Sequence, residues 1–204
     1  MNKSNQTPGY NRIVYLDIIF FVVGILLIGM FNYDYVMLLV LLIIYPYLKL
    51  TGRLWLFVAL GVAIFLSAIW GYIAVDHYEY SLSGLKIGIL NLYPVFFWTY
   101  GLFIVKLIYS GILPLFKDKK LLFKMLIFSS IFWVGLIVAE FVVYHIFKVK
   151  NLATSGNSGL PFIDAIHAPV WMQITYFMMG PVYFIFIEIT EWKILKLNYL
   201  RKKW

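Results

Sequence analysis

The sequence is dominated by long apolar stretches, each close to the length needed to cross a membrane. Six of them occur, at about 13–33, 35–50, 54–75, 87–113, 121–147 and 168–190. A helix needs about 20 apolar residues to span a hydrocarbon core of about 30 Å. Only 13% of the residues are charged, against about 25% in soluble domains. The sequence therefore predicts an all-α, polytopic integral membrane protein with six transmembrane helices.

These stretches take up nearly the whole chain, so residues 1–204 are predicted to form a single membrane domain with no soluble part. Segment 35–50 is the shortest, and a re-entrant loop is the alternative to a full crossing there. In a prokaryote such a chain belongs in the cytoplasmic membrane. Because the sequence has no cysteine, disulfides and thiolate metal sites are excluded.

The basic residues fix the predicted orientation. With six crossings, all 17 Lys and Arg residues except Lys86, Lys148 and Lys150 fall on one side. The positive-inside rule places that side, with both termini, in the cytoplasm. A re-entrant segment 35–50 would move Lys49 and Arg53 outward, so a full crossing is favoured. The basic helix ends predict contact with anionic lipid headgroups on the cytoplasmic side, and no nucleic-acid partner.

The three histidines of the chain all fall on the outer side of this topology. His77, His145 and His167 lie at the outer ends of helices three, five and six. Imidazoles with nearby carboxylates are ligands that zinc and other divalent metals accept, so these histidines are one candidate metal site. The competing interpretation is that they are polar residues of the headgroup zone.

Glu140 is the leading candidate for a catalytic residue. It lies inside the fifth apolar segment, where a carboxylate costs at least about 2.5 kcal/mol and is expected to face the bundle interior. Its i+4 neighbour Tyr144 is expected to donate a hydrogen bond to it. The alternative is a structural carboxyl group held near the interface.

The entry to helix six suggests the partner of Glu140. In Asp164-Ala-Ile-His167, the carboxylate can fix the tautomer of the imidazole and make it a general base. Asp164 and His167 are therefore predicted to be catalytic together with Glu140. The alternative for this segment is a helix-capping Asp followed by an interfacial Trp anchor. The residues predicted to line a ligand site are Asn91, Trp98, Tyr144 and Trp171.

The stretch from Trp70 through Tyr80 to Pro94 resembles small lycopene cyclase domains, which implies an isoprenoid substrate. The paired glutamates that follow the proline in those domains are Val95 and Phe96 here. The sequence therefore lacks the acids of that family, and membership is not assigned.

Three functions remain open from the sequence. The first is a membrane enzyme acting on a lipid or isoprenoid through a polar acid–base or metal site at the extracytoplasmic face. The second is a subunit that binds or transports a small apolar or amphipathic molecule, as six-helix vitamin-uptake subunits do, which this chain resembles in size, helix number and position of the termini. The third is a structural or assembly subunit of a membrane complex.

Overall fold

The computed structural model describes residues 8–31, 33–80 and 84–201. The protein is all-helical, with 75% of its residues in helices, which confirms the all-α prediction. The α-helices of the described ranges are α1 (Pro8–Met30), α2 (Tyr33–Leu50), α3 (Phe57–Ile73), α4 (Leu92–Ile112), α5 (Leu121–Phe141) and α6 (Val170–Arg201).

Several helices are extended by short turns of other helix types. A 3-10 turn at Leu54–Leu56 precedes α3, another at Leu113–Phe116 follows α4, and a π-helical turn at Val142–Ile146 follows α5. Within the described ranges, four helical stretches are long and apolar enough to cross a membrane: Leu54–Ile73, Leu92–Phe116, Leu121–Ile146 and Val170–Lys193. They indicate a multi-pass integral membrane protein. The full count of six crossings stays a prediction.

The start of the fourth helix differs from the sequence prediction, which placed it at residue 87. Strands β1 (Lys86–Ile87) and β2 (Leu90–Asn91) form an antiparallel hairpin instead. Gly88 closes the hairpin with a φ of +59°, a left-handed conformation that favours glycine. The hairpin residues are apolar like those of α4, although they are not helical. The hydropathy pattern therefore placed the start of the helix too early.

A side-chain cap begins α4 directly after the hairpin. The Asn91 side chain accepts a hydrogen bond of 3.0 Å from the backbone N–H of Tyr93, as expected of an N-cap asparagine. Pro94 then lies in the first turn of α4, where its missing N–H breaks no helical hydrogen bond.

Helix α4 is the centre of the bundle. It packs against α1, α2, α3 and α5, while α6 packs against α3 and α5. Large apolar side chains cover the outside of the bundle, and more than half of the side-chain surface is exposed at Tyr35, Leu42, Phe65, Val134 and Ile174. Such a surface is stable against lipid and unstable against water, in agreement with a membrane location.

The described residues of the connections between α1 and α2, between α3 and α4 and between α5 and α6 meet at one end of the bundle, which we call the loop end. Asp34 Oδ2 accepts hydrogen bonds from the backbone N–H groups of Gly84 (2.6 Å) and Leu85 (3.0 Å). Asn151 accepts from Glu79 N at 3.0 Å and donates to His77 O at 2.7 Å. These bonds fasten the loops to one another over the helix ends. The opposite end, which carries Arg53 and Lys117, is called the basic end.

Candidate functional site

A polar pocket lies beneath the loops at the loop end. We call it the acid pocket, and its lining residues are Tyr80, Tyr93, Phe97, Glu140, Val143, Tyr144, Val149, Asn151, Thr154, Ile166, His167 and Tyr176. Helices α4, α5 and α6 and the 147–169 loop each supply part of the lining. The pocket thus brings together Glu140 and His167, which the sequence predicted as an acid–base pair, and Tyr144, which it predicted to line a ligand site.

Glu140 lies in the last turn of α5, just before the helix changes from α to π at Val142. No described residue forms a hydrogen bond or ion pair with its carboxyl group. The predicted hydrogen bond from Tyr144 is absent, because the π-helical turn moves Tyr144 out of the i+4 position that a regular α-helix would give it. Isolated π-helical turns of this kind are frequent at functional sites.

The Tyr144 ring stacks on the imidazole of His167 instead. The two ring centroids are 3.9 Å apart, and the rings are within 9° of parallel. The π-helical turn therefore serves to hold the histidine of the pocket.

His167 also contacts the carboxylate expected from the Asp–X–X–His spacing. His167 Nε2 lies 3.0 Å from Asp164 Oδ1, which is the distance of an N–H donating to a carboxylate. In the neutral imidazole this leaves Nδ1 as the acceptor nitrogen. His167 Nδ1 is buried, and no described group bonds to it. Its lone pair is therefore available to take a proton.

The backbone around Asp164 is unusual. Phe162, Asp164 and Ile166 all have positive φ, at 71°, 49° and 62°, a conformation that costs energy for residues other than glycine. Gln173 of α6 stabilises the segment by donating to Ser158 O at 3.1 Å and to Ala168 O at 2.9 Å. Helix α6 begins only at Val170, so the alternative of Asp164 as its cap is wrong.

The histidines do not converge on one point. His145 Nε2 donates to the backbone oxygen of Asp164 at 2.6 Å, and the rings of His145 and His167 are 6.2 Å apart. His77 lies apart from both, with its ring edge-on to Trp171 at 5.2 Å. In the part of the chain that the structure describes, no three His, Cys, Asp or Glu side chains are grouped so that they could hold a metal ion.

A hydrogen-bonded network of aromatic side chains supports the pocket from the core. Tyr78 OH accepts from the indole N–H groups of Trp70 (2.7 Å) and Trp98 (3.0 Å), and it lies 3.0 Å from Tyr176 OH. Burial raises the pKa of Tyr78, so its phenol keeps its proton. With both lone pairs of Tyr78 occupied, that proton goes to Tyr176 OH. The proton of Tyr176, which lines the acid pocket, remains free to donate into it.

An apolar groove adjoins the acid pocket. Its lining residues are Phe21, Ile25, Phe97, Trp98, Tyr100, Gly101, Val105, Phe132, Gly135, Leu136 and Ala139. Trp98, predicted to line a ligand site, lies here and not in the acid pocket. Asn91 caps α4 and lines neither space. Trp171 is 42% exposed and packs edge-on against Trp70, outside both.

Sequence reasoning missed several polar residues that the structure brings together. Tyr78 and Tyr176 gave no local signal, since their contact joins distant parts of the chain. Asp17 did give a signal, because it is a carboxylate inside segment 13–33 and should have been weighed as Glu140 was. It is fully buried and binds Arg53 at the basic end through a bond of 2.7 Å.

Comparison with protein-family models, with curated proteins and with solved structures yields no match for this chain.

Proposed function

We propose that this protein is a membrane-embedded acid–base enzyme that acts on a small amphipathic molecule of the lipid or isoprenoid class. One observation carries the proposal. Glu140 of α5 and His167, which lies in the connection that precedes α6, are distant in sequence and line one pocket at the loop end. With the termini in the cytoplasm, that pocket faces the extracytoplasmic side.

His167 is the proposed base. The Asp164 carboxylate holds Nε2 at 3.0 Å, and the Tyr144 ring fixes the plane of the imidazole. Orientation by a carboxylate on one nitrogen and a free lone pair on the other is the arrangement of a general base.

Glu140 is the proposed acid. A carboxyl group inside an apolar helix is costly unless it is paired or used, and no described residue pairs with it. Tyr176 supports the same chemistry, because it lines the pocket and a hydroxyl donor there can stabilise negative charge that develops on a substrate oxygen. Glu140 gives a proton to the substrate and His167 takes one from it, so the net charge of the substrate is unchanged. Return of the proton from His167 to Glu140 then restores both groups for the next turnover.

The test uses purified protein reconstituted in vesicles made from a total membrane lipid extract, with extractable compounds followed by mass spectrometry. We expect the wild type to convert one compound into another. Glu140→Gln keeps the size of the side chain but cannot transfer the proton, so we expect conversion to fall by about 10²- to 10⁴-fold. His167→Asn is expected to lose a similar factor.

His77→Asn is the matched control, because His77 lies at the same end of the bundle but outside the acid pocket. It is expected to convert the compound at the wild-type rate. If Glu140→Gln and His167→Asn both convert it as fast as the wild type, the proposed function is wrong.

A binding or transport subunit is the second candidate, favoured by the contribution of Val149, Asn151 and Thr154 from the long loop to the pocket wall. In that case the same extraction would recover a stoichiometric compound that remains chemically unchanged. A protein that is empty and inert but co-purifies with partner chains would indicate an assembly subunit.

A further inference from the structure

The apolar groove and the acid pocket are two neighbouring spaces. Phe97 lines both, and the adjacent residues Ala139 and Glu140 of α5 line the groove and the pocket respectively. A molecule whose polar end contacts Glu140 therefore has an apolar surface available directly below it.

The groove lies between three helices of the bundle, and none of its lining residues is exposed. Its floor is α4, and its walls are α1 and α5, which both pack on α4. Helix α1 also reaches the π-helical turn that follows α5, which bounds the groove toward the loop end. Val22 on one wall and Val138 on the other are 46% and 47% exposed.

Two glycines give the groove its width. A Cβ atom built at Gly101 on the floor or at Gly135 on a wall would meet nothing within 4 Å. A tightly packed helical glycine such as Gly180 differs, since a Cβ there would lie 2.5 Å from the Phe132 ring. Gly101 and Gly135 therefore do not permit close helix packing. They leave a space that a side chain would fill.

From these observations we infer that the groove binds the hydrocarbon chain of the same amphiphile whose polar end lies against Glu140. The inference rests on the proposed function for the identity of the polar end. The acid pocket holds that end through Glu140, Tyr176 and His167, and the groove holds the tail between α1 and α5. Burying each methylene contributes about 0.8 kcal/mol relative to water. The tail gains the same free energy in lipid, so the groove distinguishes between hydrocarbon chains by their shape.

Because the chain has no cysteine, maleimide labelling of a variant reports only on the single cysteine that was introduced. Gly135→Cys and Gly101→Cys place a thiol in the groove. Gly61→Cys is the matched control, because Gly61 is an exposed α3 position where a Cβ also meets nothing within 4 Å. Each variant is reconstituted in phosphatidylcholine vesicles and labelled with N-phenylmaleimide, with and without n-decanol as the single-chain amphiphile.

At a concentration of about ten times its Kd, we expect n-decanol to slow the labelling of both groove variants by about tenfold. The labelling rate of Gly61→Cys is expected to stay unchanged at the same concentration. Equal slowing of all three variants, or of none, would overturn the inference. So would a disulfide dimer of Gly135→Cys under oxidation, since a second copy would then cover the groove.

The measurement also separates this inference from the proposed function, because labelling needs no turnover. If Glu140→Gln leaves conversion intact while n-decanol still protects Gly135→Cys, the acid–base proposal fails and the tail site stands. If conversion is lost in Glu140→Gln but n-decanol does not protect Gly135→Cys, the acid–base proposal stands and the tail site fails.

Discussion

A buried charge pair that the sequence did not predict joins α1 to the connection between α2 and α3. Arg53 donates to both oxygens of Asp17, through Nη1 at 2.9 Å and Nη2 at 2.7 Å. Tyr47 OH donates to Asp17 Oδ1 at 2.6 Å. Asp17 is fully buried, so its carboxylate depends on these donors. Paired charges of this kind tolerate joint removal far better than the loss of one partner.

We therefore predict that Arg53→Met lowers the free energy of unfolding by about 3–5 kcal/mol, because it leaves the Asp17 carboxylate buried without its cation. The double variant Asp17→Leu with Arg53→Met is expected to recover most of that loss. Unfolding in mixed detergent micelles, followed by tryptophan fluorescence, measures both.

Lys49→Met serves as the control, because Lys49 is an exposed basic residue of α2 near the same end. It should change the free energy of unfolding by less than about 0.5 kcal/mol. A double variant no more stable than Arg53→Met alone would contradict the pairing argument.

Among the helices, α1 and α4 approach each other over small residues. A Cβ atom at Gly111 of α4 would lie 2.5 Å from the side chain of Val14 in α1, and one at Gly24 of α1 would overlap the Tyr100 ring of α4. Small residues at such contacts let membrane helices gain dispersion energy by close packing. The Tyr100 hydroxyl adds a bond of 2.8 Å to Phe20 O across the same interface.

Gly111→Leu is predicted to destabilise the bundle by about 1–3 kcal/mol, because the added side chain overpacks this contact. The same micelle unfolding assay measures the loss. Gly61→Leu makes the identical chemical change on the exposed face of α3 and is expected to have little effect. Equal stability of the two variants would show that α1 and α4 are not closely packed at Gly111.

On the scale of the whole molecule, the orientation in the membrane decides which side the acid pocket faces. The loop end and the basic end lie at opposite ends of the bundle, and most basic residues lie toward the latter. We predict that a membrane-impermeant maleimide labels Ser158→Cys from outside intact cells, whereas Lys119→Cys is labelled only after the membrane is permeabilised. Both positions are exposed. If both cysteines were labelled from the same side, the chain could not cross the membrane an odd number of times between residues 119 and 158.

Local features of the sequence determined the helical membrane architecture and part of the candidate site. Hydropathy is a property of a continuous segment, so α2 and α3 begin and end close to their predicted bounds and α5 begins at its predicted residue. The contact between Asp164 and His167 follows from a spacing of three residues. The choice of Glu140 as a candidate follows from its position inside an apolar segment, which needs no knowledge of its neighbours.

Only the tertiary structure decided which residues meet. The hairpin at residues 86–91 and the π-helical turn at Val142–Ile146 break the regular helix that the hydropathy pattern implied, and the latter moved Tyr144 from Glu140 to His167. The contacts of Asp17 with Arg53 and of Tyr78 with Tyr176 join distant segments. In a membrane protein the lipid-facing and core-facing sides of a helix are both apolar. Helix rotation is therefore not encoded in the hydrophobic pattern, and packing alone directs Glu140 and Tyr176 toward one pocket and the two groove glycines toward the neighbouring groove.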